Sequence, residues 1–494
     1  MAHQMTRNSR SKKAMLKCGP KQIAGVFVAI VLVAMVINLR VATTHQQRTW
    51  LSIQEISPDA TGTAPKRKKS RDSSHRQESQ MQVVFSTSCS IKHDWQSYLF
   101  FFQAYLHQQP GNVTRIVSGC TEEQQQEMLR IHEEQISIMN ERFHLHFTPE
   151  FGKIEGRSWE VTKYWNKPFG VKHWLENKFG YRYEGDVSTP FDDDIIVLVD
   201  PDMLMQRPFL NDFSKFPKTT WHKSIRNRDD LYFKVSHGKP IAQTYSFNDA
   251  WLLAARKGNM EDIVGPGSPA LNVSNYDATV TFSAGPPYML TARDMYRLVH
   301  HWAKFLPLIN NNFVGMMGEM YGYCTAAAHL NLRHQIATGF MVSNVVISEG
   351  EGWDFMDHVT GDACDVAKFR DTAPLVVHFC QRYSVGEYFL SKYKVPTDIL
   401  TCDHKLFELP PKDIAAYTTY SHYGDNSTKT YSGGKMKDLY RHTFMVCSIM
   451  DGLNRAATFF KDHHCPNGAN YNATWNHFRE EKLQGCKTVH DCPV

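Results

Sequence analysis

The sequence predicts an α/β fold: a mostly parallel sheet with helices on both faces, preceded by one N-terminal transmembrane helix and a disordered stem. Three observations carry this. From Gln82 onward, short apolar runs alternate with helical patterns about every 25–40 residues, as βαβ units do. One run, Ile195 to Val199, is apolar at every position, which a strand buried on both faces requires. Far upstream, Ile23 to Leu39 is uncharged and follows a cluster of lysines and arginines.

That upstream stretch holds 17 residues, enough for a short bilayer span. Arg7, Arg10, Lys12, Lys13, Lys17 and Lys21 precede it, so the positive-inside rule puts the N-terminus in the cytosol. A cleavable signal peptide has similar n- and h-regions, but no clean small-x-small site follows, since Asn38-Leu39-Arg40 stands there. A short span also suits the thinner membranes of the early secretory pathway. The expected organisation is a cytosolic tail (1–22), a signal anchor (23–39), a luminal stem (40–80), a catalytic body (81–400) and a C-terminal extension packed on it (401–494). The stem is Ser-, Lys- and Arg-rich without apolar periodicity, the composition of a tether.

Charge is divided accordingly. Residues 1–80 hold 14 Lys/Arg against 4 Asp/Glu, leaving 41 basic and 46 acidic residues downstream. The folded body is therefore mildly acidic, and no nucleic-acid partner is expected. The run Lys66 to Arg71 (KRKKSR) could mark a nucleic-acid patch in isolation, but beyond a membrane span it reads as a solvated spacer. Ten of the eleven cysteines would be luminal, an even number that permits disulfides, with at least one bridge expected among the tail cysteines Cys465, Cys486 and Cys492. No CxxC occurs, which excludes zinc-ribbon and thioredoxin-type motifs. Sequons at Asn112, Asn272, Asn426 and Asn472 fit a luminal chain.

Within the body, Gln82 to Ser88 reads as a buried first strand and His93 to His107 as the helix behind it. Arg115 to Ser118 is a second strand, Glu122 to Asn140 a polar helix, and His144 to Phe147 a third strand. A helix closes at Trp174-Leu175, Ile195 to Val199 is the next strand, and Gly318 to Leu330 is strongly helical. Gly265 to Pro269 and Gly285-Pro286-Pro287 read as loops, and the chain past Thr401 as irregular. Neither G-x-G-x-x-G nor G-x-x-x-x-G-K follows the first strand, so the common glycine-rich phosphate grips are missing.

Asp200-Pro201-Asp202 follows the buried run directly. Ligands of open α/β sheets sit beyond the carboxyl ends of such strands. Pro201 disfavours a helical Asp200, and alternate residues of an extended segment point the same way, so both carboxylates can face one site. Two close carboxylates repel unless a cation or a proton separates them. Hard oxygen ligands without a Cys/His cluster favour Mg²⁺ or Mn²⁺, and such an ion could neutralise a diphosphate that no glycine-rich loop cradles. A capped turn is the competing reading, since Asp and Pro are ordinary turn residues. Asp192-Asp193-Asp194, upstream of the same strand, reads as a solvated edge.

The Asp pair, NKPFGVKHWL (Asn166 to Leu175), GKPIAQTY (Gly238 to Tyr245), GPPYMLTARDM (Gly285 to Met295), GEMYGYCTAAAHLNL (Gly318 to Leu332) and HFCQRY (His378 to Tyr383) occur in this order. Together they resemble the hydroxyproline O-arabinosyltransferase-like family of plants and algae, which includes the peptidyl-serine α-galactosyltransferases. VPTDILTCD (Val395 to Asp403) and RHTFMVCS (Arg441 to Ser448) are more similar to the serine galactosyltransferase branch. The resemblance covers about residues 82–465. It implies a GT-A-like fold and a single-pass type II Golgi membrane enzyme with its catalytic domain in the lumen. Such an enzyme moves a sugar from a UDP-sugar to a Ser or hydroxyproline hydroxyl of a secreted protein, with retention and a divalent metal. The competing reading is a luminal sugar- or nucleotide-binding protein of the same fold without turnover.

In this frame Asp200, Asp202 and His378 would hold Mn²⁺ (or Mg²⁺), unless Asp200 contacts the ribose and Asp202 alone is the carboxylate ligand. Some members carry Glu at the position of Asp200. His378 follows the apolar run Pro374 to Val377 and reads as either a metal ligand or a buried structural histidine. Glu319 opens a helix, where the dipole favours a carboxylate; it is either a capping charge or a group that steadies the reacting sugar or orients the acceptor hydroxyl. Asn166 and Lys167 could reach the donor, as could Gln381 and Arg382. Trp174 reads as packing. Only the resemblance raises Gln243, Tyr245, Ser283 and Asp294 above core or loop residues. No residue is identifiable as the nucleophile of a double displacement.

Overall fold

The computed structural model describes residues 80–480 apart from 184–187, 314–316, 348–349, 358, 360–361, 413–418, 422–427, 431–435 and 478. The expected cytosolic tail, the anchor and all but the last residue of the stem lie outside the described residues. Among the described residues, no helix is long and apolar enough to cross a membrane.

The body opens with β1 (Met81–Ser88), α1 (Ile91–Leu106), β2 (Asn112–Ser118), α2 (Glu122–Ile131) and β3 (Phe143–Thr148). Thr121 and Gln124 start α2 with a reciprocal capping box, and the helix continues as a π-helical turn over His132–Ile136. Then come α3 (Asn166–Lys178), β4 (Ile195–Val199) and β5 (Met203–Met205), followed by β6 (Ile241–Thr244) and β7 (Ala284–Thr291). The long helix α4 (Ala292–Asn312), α5 (Gly318–His329) and β8 (Gln335–Ala337) complete the central layer.

Seven strands form the main sheet in the order β3-β2-β1-β4-β7-β6-β8. All its neighbouring pairs are parallel except the two made by β7, which runs against β4 and β6. The β7 segment reads as a loop in sequence because of Pro286 and Pro287, yet all eight of its residues are buried. Prolines lack the N–H that a ladder needs, and the sheet accommodates them where its register shifts between Ala242 and Gln243 of β6.

The strands alternate strictly between two cores. Val83, Phe85, Ile195, Val197 and Val199 face a cluster that includes α1, whereas Val84, Ile196 and Leu198 face another built with α3, α4 and α5. Both faces of β1 and β4 are therefore dry, which is why the sequence there is continuously apolar. Trp174 sits in the second cluster, edge-on to Phe179.

A smaller sheet, β5-β10-β9, uses β9 (Met341–Val342) and β10 (Val376–His378), and the hairpin β11 (Arg382–Val385) and β12 (Tyr388–Ser391) follows it. The region past Thr401 is less irregular than its sequence suggests. It contains α6 (Met436–His464), whose Leu439, Phe444, Met445, Val446, Ile449 and Leu453 are buried in the first core. Buried Arg441 on α6 donates to Asp357 and to the carbonyls of Val345 and Ile347. Disulfides join Cys89 to Cys120, Cys364 to Cys447 and Cys402 to Cys465. Cys324 and Cys380 carry none, and Cys18, Cys486 and Cys492 lie outside the described residues.

Candidate active site

Asp200 and Asp202 stand at the carboxyl end of β4, and the backbone there turns: Met203 N donates to Asp200 O at 3.2 Å. The carboxylates therefore converge across a turn, not along an extended strand. Each is clasped from a different layer. Lys167, in the first turn of α3, places its ammonium 2.7 Å from Asp200 Oδ1 and 3.3 Å from Glu319 Oε2 at the start of α5. Lys392, just past β12, sits 2.5 Å from Asp202 Oδ2.

His378 reaches the pair through sheet register. It ends β10 opposite Met203, the residue after Asp202, so its Nε2 lies 3.3 Å from Asp202 Oδ1. Its Nδ1 meets the Tyr245 hydroxyl at 3.1 Å. Tyr245 can stand there because Gly285 is beneath it; a Cβ at that position would drive into the phenol ring. Asp200, Asp202 and His378 each offer a ligand atom within 4.8 Å of the others. Two carboxylates and an imidazole suit Mn²⁺ or Mg²⁺, and the two lysines at the same carboxylates mark a place built to be compensated by positive charge.

Burial is the largest single influence on each of these groups, but charged partners together reverse it at Asp202 and Lys167. It works to raise the Asp202 carboxyl, but His378 and Lys392 outweigh it and hold that group well below the usual carboxylate range. For Lys167, burial works downward, yet Asp200 and Glu319 keep the ammonium above the ordinary lysine value. Glu319 goes the other way: burial, opposed by Lys167 and reinforced by Asp200, pushes it up to about 7. Its Oε1 is buried without a hydrogen-bond partner, and its backbone carbonyl is pinned by Trp302 Nε1 at 2.8 Å. A helix N-terminus alone would have lowered this carboxyl, so a capping role does not account for its state.

These groups line one cavity of about 1140 Å³, together with Asn166, Gln381 and the end of β1 at Ser86 to Ser88. Asn166 borders the cavity while its amide is engaged elsewhere, accepting from Phe151 N at 2.8 Å and donating to Glu150 Oε1 at 2.7 Å. Arg382 is exposed at the start of β11 and is not part of the lining. Gln243 is buried and bonds the backbone of Thr244, Thr338, Phe340 and Gly350. Asp294 accepts from Gly238 N at 2.7 Å, and Ser283 is buried; neither lines the cavity. The Asp192-Asp193-Asp194 cluster is not the solvated edge that its composition suggests. Asp192 and Asp194 are buried acceptors for Tyr181, Ser188, Gln80 and Gln82, and only Asp193 is half-exposed, beside His237. Lys392 escapes a sequence reading altogether; its only signal is a lysine closing an apolar hairpin strand, YFLSK.

No protein-family model matches the chain. Two curated relatives do. The peptidyl serine alpha-galactosyltransferase of Arabidopsis thaliana is 25% identical over 352 residues, 68% of this chain and 34% of the relative. That of Chlamydomonas reinhardtii is 22% identical over 419 residues, 78% of this chain and 46% of the relative. The chain thus spans between a third and a half of the length of these relatives. Among solved structures, the galactosyltransferase LgtC with donor and acceptor sugar analogues overlaps at a TM-score of 0.30 with 11% identity, covering 61% of this chain and 87% of that one. The WbbM bifunctional glycosyltransferase overlaps at 0.30 with 9% identity, covering 62% and 46%. Overlaps of that size do not decide the fold, which rests on the sheet order above. By sequence, the chain is similar to the peptidyl serine alpha-galactosyltransferases of these two organisms, the branch that its motifs resemble.

Proposed function

Starting from this kinship, we propose that the chain is a GT-A-type glycosyltransferase of the Golgi lumen, anchored by Ile23 to Leu39. It would move a sugar, with retention, from a UDP-sugar to a Ser or hydroxyproline hydroxyl on a secreted protein. The observation that carries the proposal is the meeting of Asp200, Asp202 and His378 beyond the end of β4, at the wall of a large cavity. Those three residues would hold Mn²⁺ or Mg²⁺. When bound, such an ion supplies positive charge against the departing diphosphate.

The protein's own groups do the rest. Lys167 and Lys392 set two partly buried ammonium groups beside the same carboxylates, fixed where negative charge would grow on the leaving group. Glu319 exchanges its proton near neutrality and keeps one oxygen unpartnered, so it can accept from or donate to a sugar or acceptor hydroxyl without reorganisation. Front-face transfer, in which the leaving phosphate takes the acceptor's proton, asks for no further base. Gln381 on the cavity wall and Arg382 beside it could meet the diphosphate or the acceptor.

The test is incubation of the full chain with a panel of UDP-sugars and a Ser-hydroxyproline peptide, with UDP release followed and the modified residue located by mass spectrometry. Transfer that chelation abolishes and Mn²⁺ restores is expected. Nucleotide binding without UDP release would instead identify a binding protein of the same fold.

A further inference from the structure

Four Asn-X-Ser/Thr triplets occur in the chain, and three of them, at Asn112, Asn272 and Asn472, fall among the described residues. None has proline in the middle position. The triplet marks only a candidate. An oligosaccharide is bulky and hydrophilic, so the asparagine that carries one must stand at a surface with its amide open. The fold separates the three on that criterion.

Asn112 fails it. It opens β2 opposite Gln82 of β1, and its Nδ2 donates to Gln82 Oε1 at 3.1 Å. Its Oδ1 meets His144 Nε2 of β3 at 3.4 Å. Gln82 in turn donates to buried Asp194, just before β4, at 3.0 Å. Asn112 is thus one rung of a polar ladder across the amino ends of β4, β1, β2 and β3. Thr114, whose hydroxyl completes the triplet, is 4% exposed. The chain enters β2 through Gly111 at φ +79°, where even a Cβ would collide with the Met81 carbonyl. A sugar ring on Nδ2 would have to displace Gln82 or His144, and with them this ladder.

Asn272 and Asn472 pass it. Asn272 ends the 3-10 turn Pro269–Asn272 and is exposed, as is Ser274 two residues on. Val273 between them is buried, and Ser274 caps the helix Asn275–Thr281 by accepting from Asp277 N at 3.0 Å. The core therefore holds this triplet by its middle residue and leaves both ends at the surface. In the other, Asn472, Ala473 and Thr474 are all exposed. That segment is held by its backbone: Asn472 O accepts from Leu406 N, and Trp475 N donates to Leu406 O, each at 3.0 Å.

We propose that Asn272 and Asn472 carry N-linked oligosaccharides in the folded protein and that Asn112 does not. At each modified site Nδ2 bonds to C1 of the first sugar and gives up a proton, while a lipid-linked oligosaccharide donor of the secretory pathway loses its lipid diphosphate. Transfer acts on the chain as it enters the lumen. A chain that takes a sugar at Asn112 cannot then close β1, β2 and β3 around it, and it is lost from the folded pool. This inference rests on the luminal placement of the body proposed above and is independent of its catalysis.

The test is expression of the full chain in eukaryotic secretory cells and recovery of the pool that resists mild trypsin. Release of its glycans by peptide N-glycosidase in heavy-oxygen water marks each vacated asparagine for mass spectrometry. Label is expected at Asn272 and Asn472 and not at Asn112. Asn272→Gln and Asn472→Gln should each remove the mass of one glycan, and Asn112→Gln none. Two results would overturn the inference and leave the luminal reading in place: label at Asn112 in that pool, or a bare Asn272 or Asn472 in a chain whose body is protease-protected inside intact microsomes. A body open to protease outside those microsomes, with no glycan, would instead sink the luminal reading, and this inference with it.

Discussion

The Lys167 ammonium lies 2.7 Å from Asp200 Oδ1 and joins it to Glu319, 3.3 Å away on the other side. One largely buried cation therefore holds together the end of a central strand and the start of a helix far downstream in the chain. Removing one partner of a buried charge network leaves the others uncompensated, at a cost of roughly 3–5 kcal/mol. Lys167→Met should lose about that much in urea unfolding, along with its activity. Adding Glu319→Gln should recover part of the stability but not the activity. Additive effects in that double-mutant cycle would show that the two residues do not couple.

Glu319 gives the pH dependence a sign. Its carboxyl rises from an ordinary 4.5 to about 7 in the folded protein, chiefly through burial. Between those values the native state holds a proton that the unfolded state has released, so this residue makes stability fall as pH rises from about 4.5 to 7. The full effect is on the order of 3 kcal/mol. Glu319→Gln should flatten that slope and be more stable than wild type at pH values above 7. Urea unfolding across the range measures it, and a wild-type slope preserved in the variant would assign the dependence to another group.

The sheet was legible where burial writes a pattern. β1 and β4 read correctly because both of their faces are covered, and α5 because its run is unbroken. β7 was hidden by two prolines that a register shift accommodates, a tertiary accommodation with no local signal. α6 was hidden because its polar residues, Arg441 among them, find partners on distant loops. The site was half legible. Asp200 and Asp202 announce themselves by their place after a dry strand, but Lys392 and Tyr245 arrive from 190 and 43 residues away in the chain, through register and packing that no single stretch encodes.

Tyr245 acts on the site through His378. Its hydroxyl meets Nδ1 at 3.1 Å, which fixes the ring's orientation and leaves Nε2 directed at Asp202. Partners of this kind typically change metal affinity by about 10–100-fold. Tyr245→Phe should weaken Mn²⁺ binding within that range while folding normally, as read by electron paramagnetic resonance of free Mn²⁺. Gly285→Ala, which forces a methyl into the Tyr245 ring, should act in the same direction with an added loss of stability.

Lys392 and a divalent cation would address the same carboxylate. At 2.5 Å from Asp202 Oδ2, the ammonium already supplies the charge that an ion would bring. An incoming cation must then share Asp202 with Lys392 or displace it, and a displaced ammonium has a use once a diphosphate is present. Two opposite effects follow from one substitution. Without nucleotide, Lys392→Met should bind Mn²⁺ more tightly, by about tenfold if the competition amounts to roughly 1.4 kcal/mol. With nucleotide, the same variant should bind UDP and Mn²⁺ less tightly than wild type, because the diphosphate has lost a fixed cation. Isothermal titration in the two conditions separates these effects. A change of the same sign in both would mean that Lys392 serves the fold of the site and does not exchange partners when the nucleotide arrives.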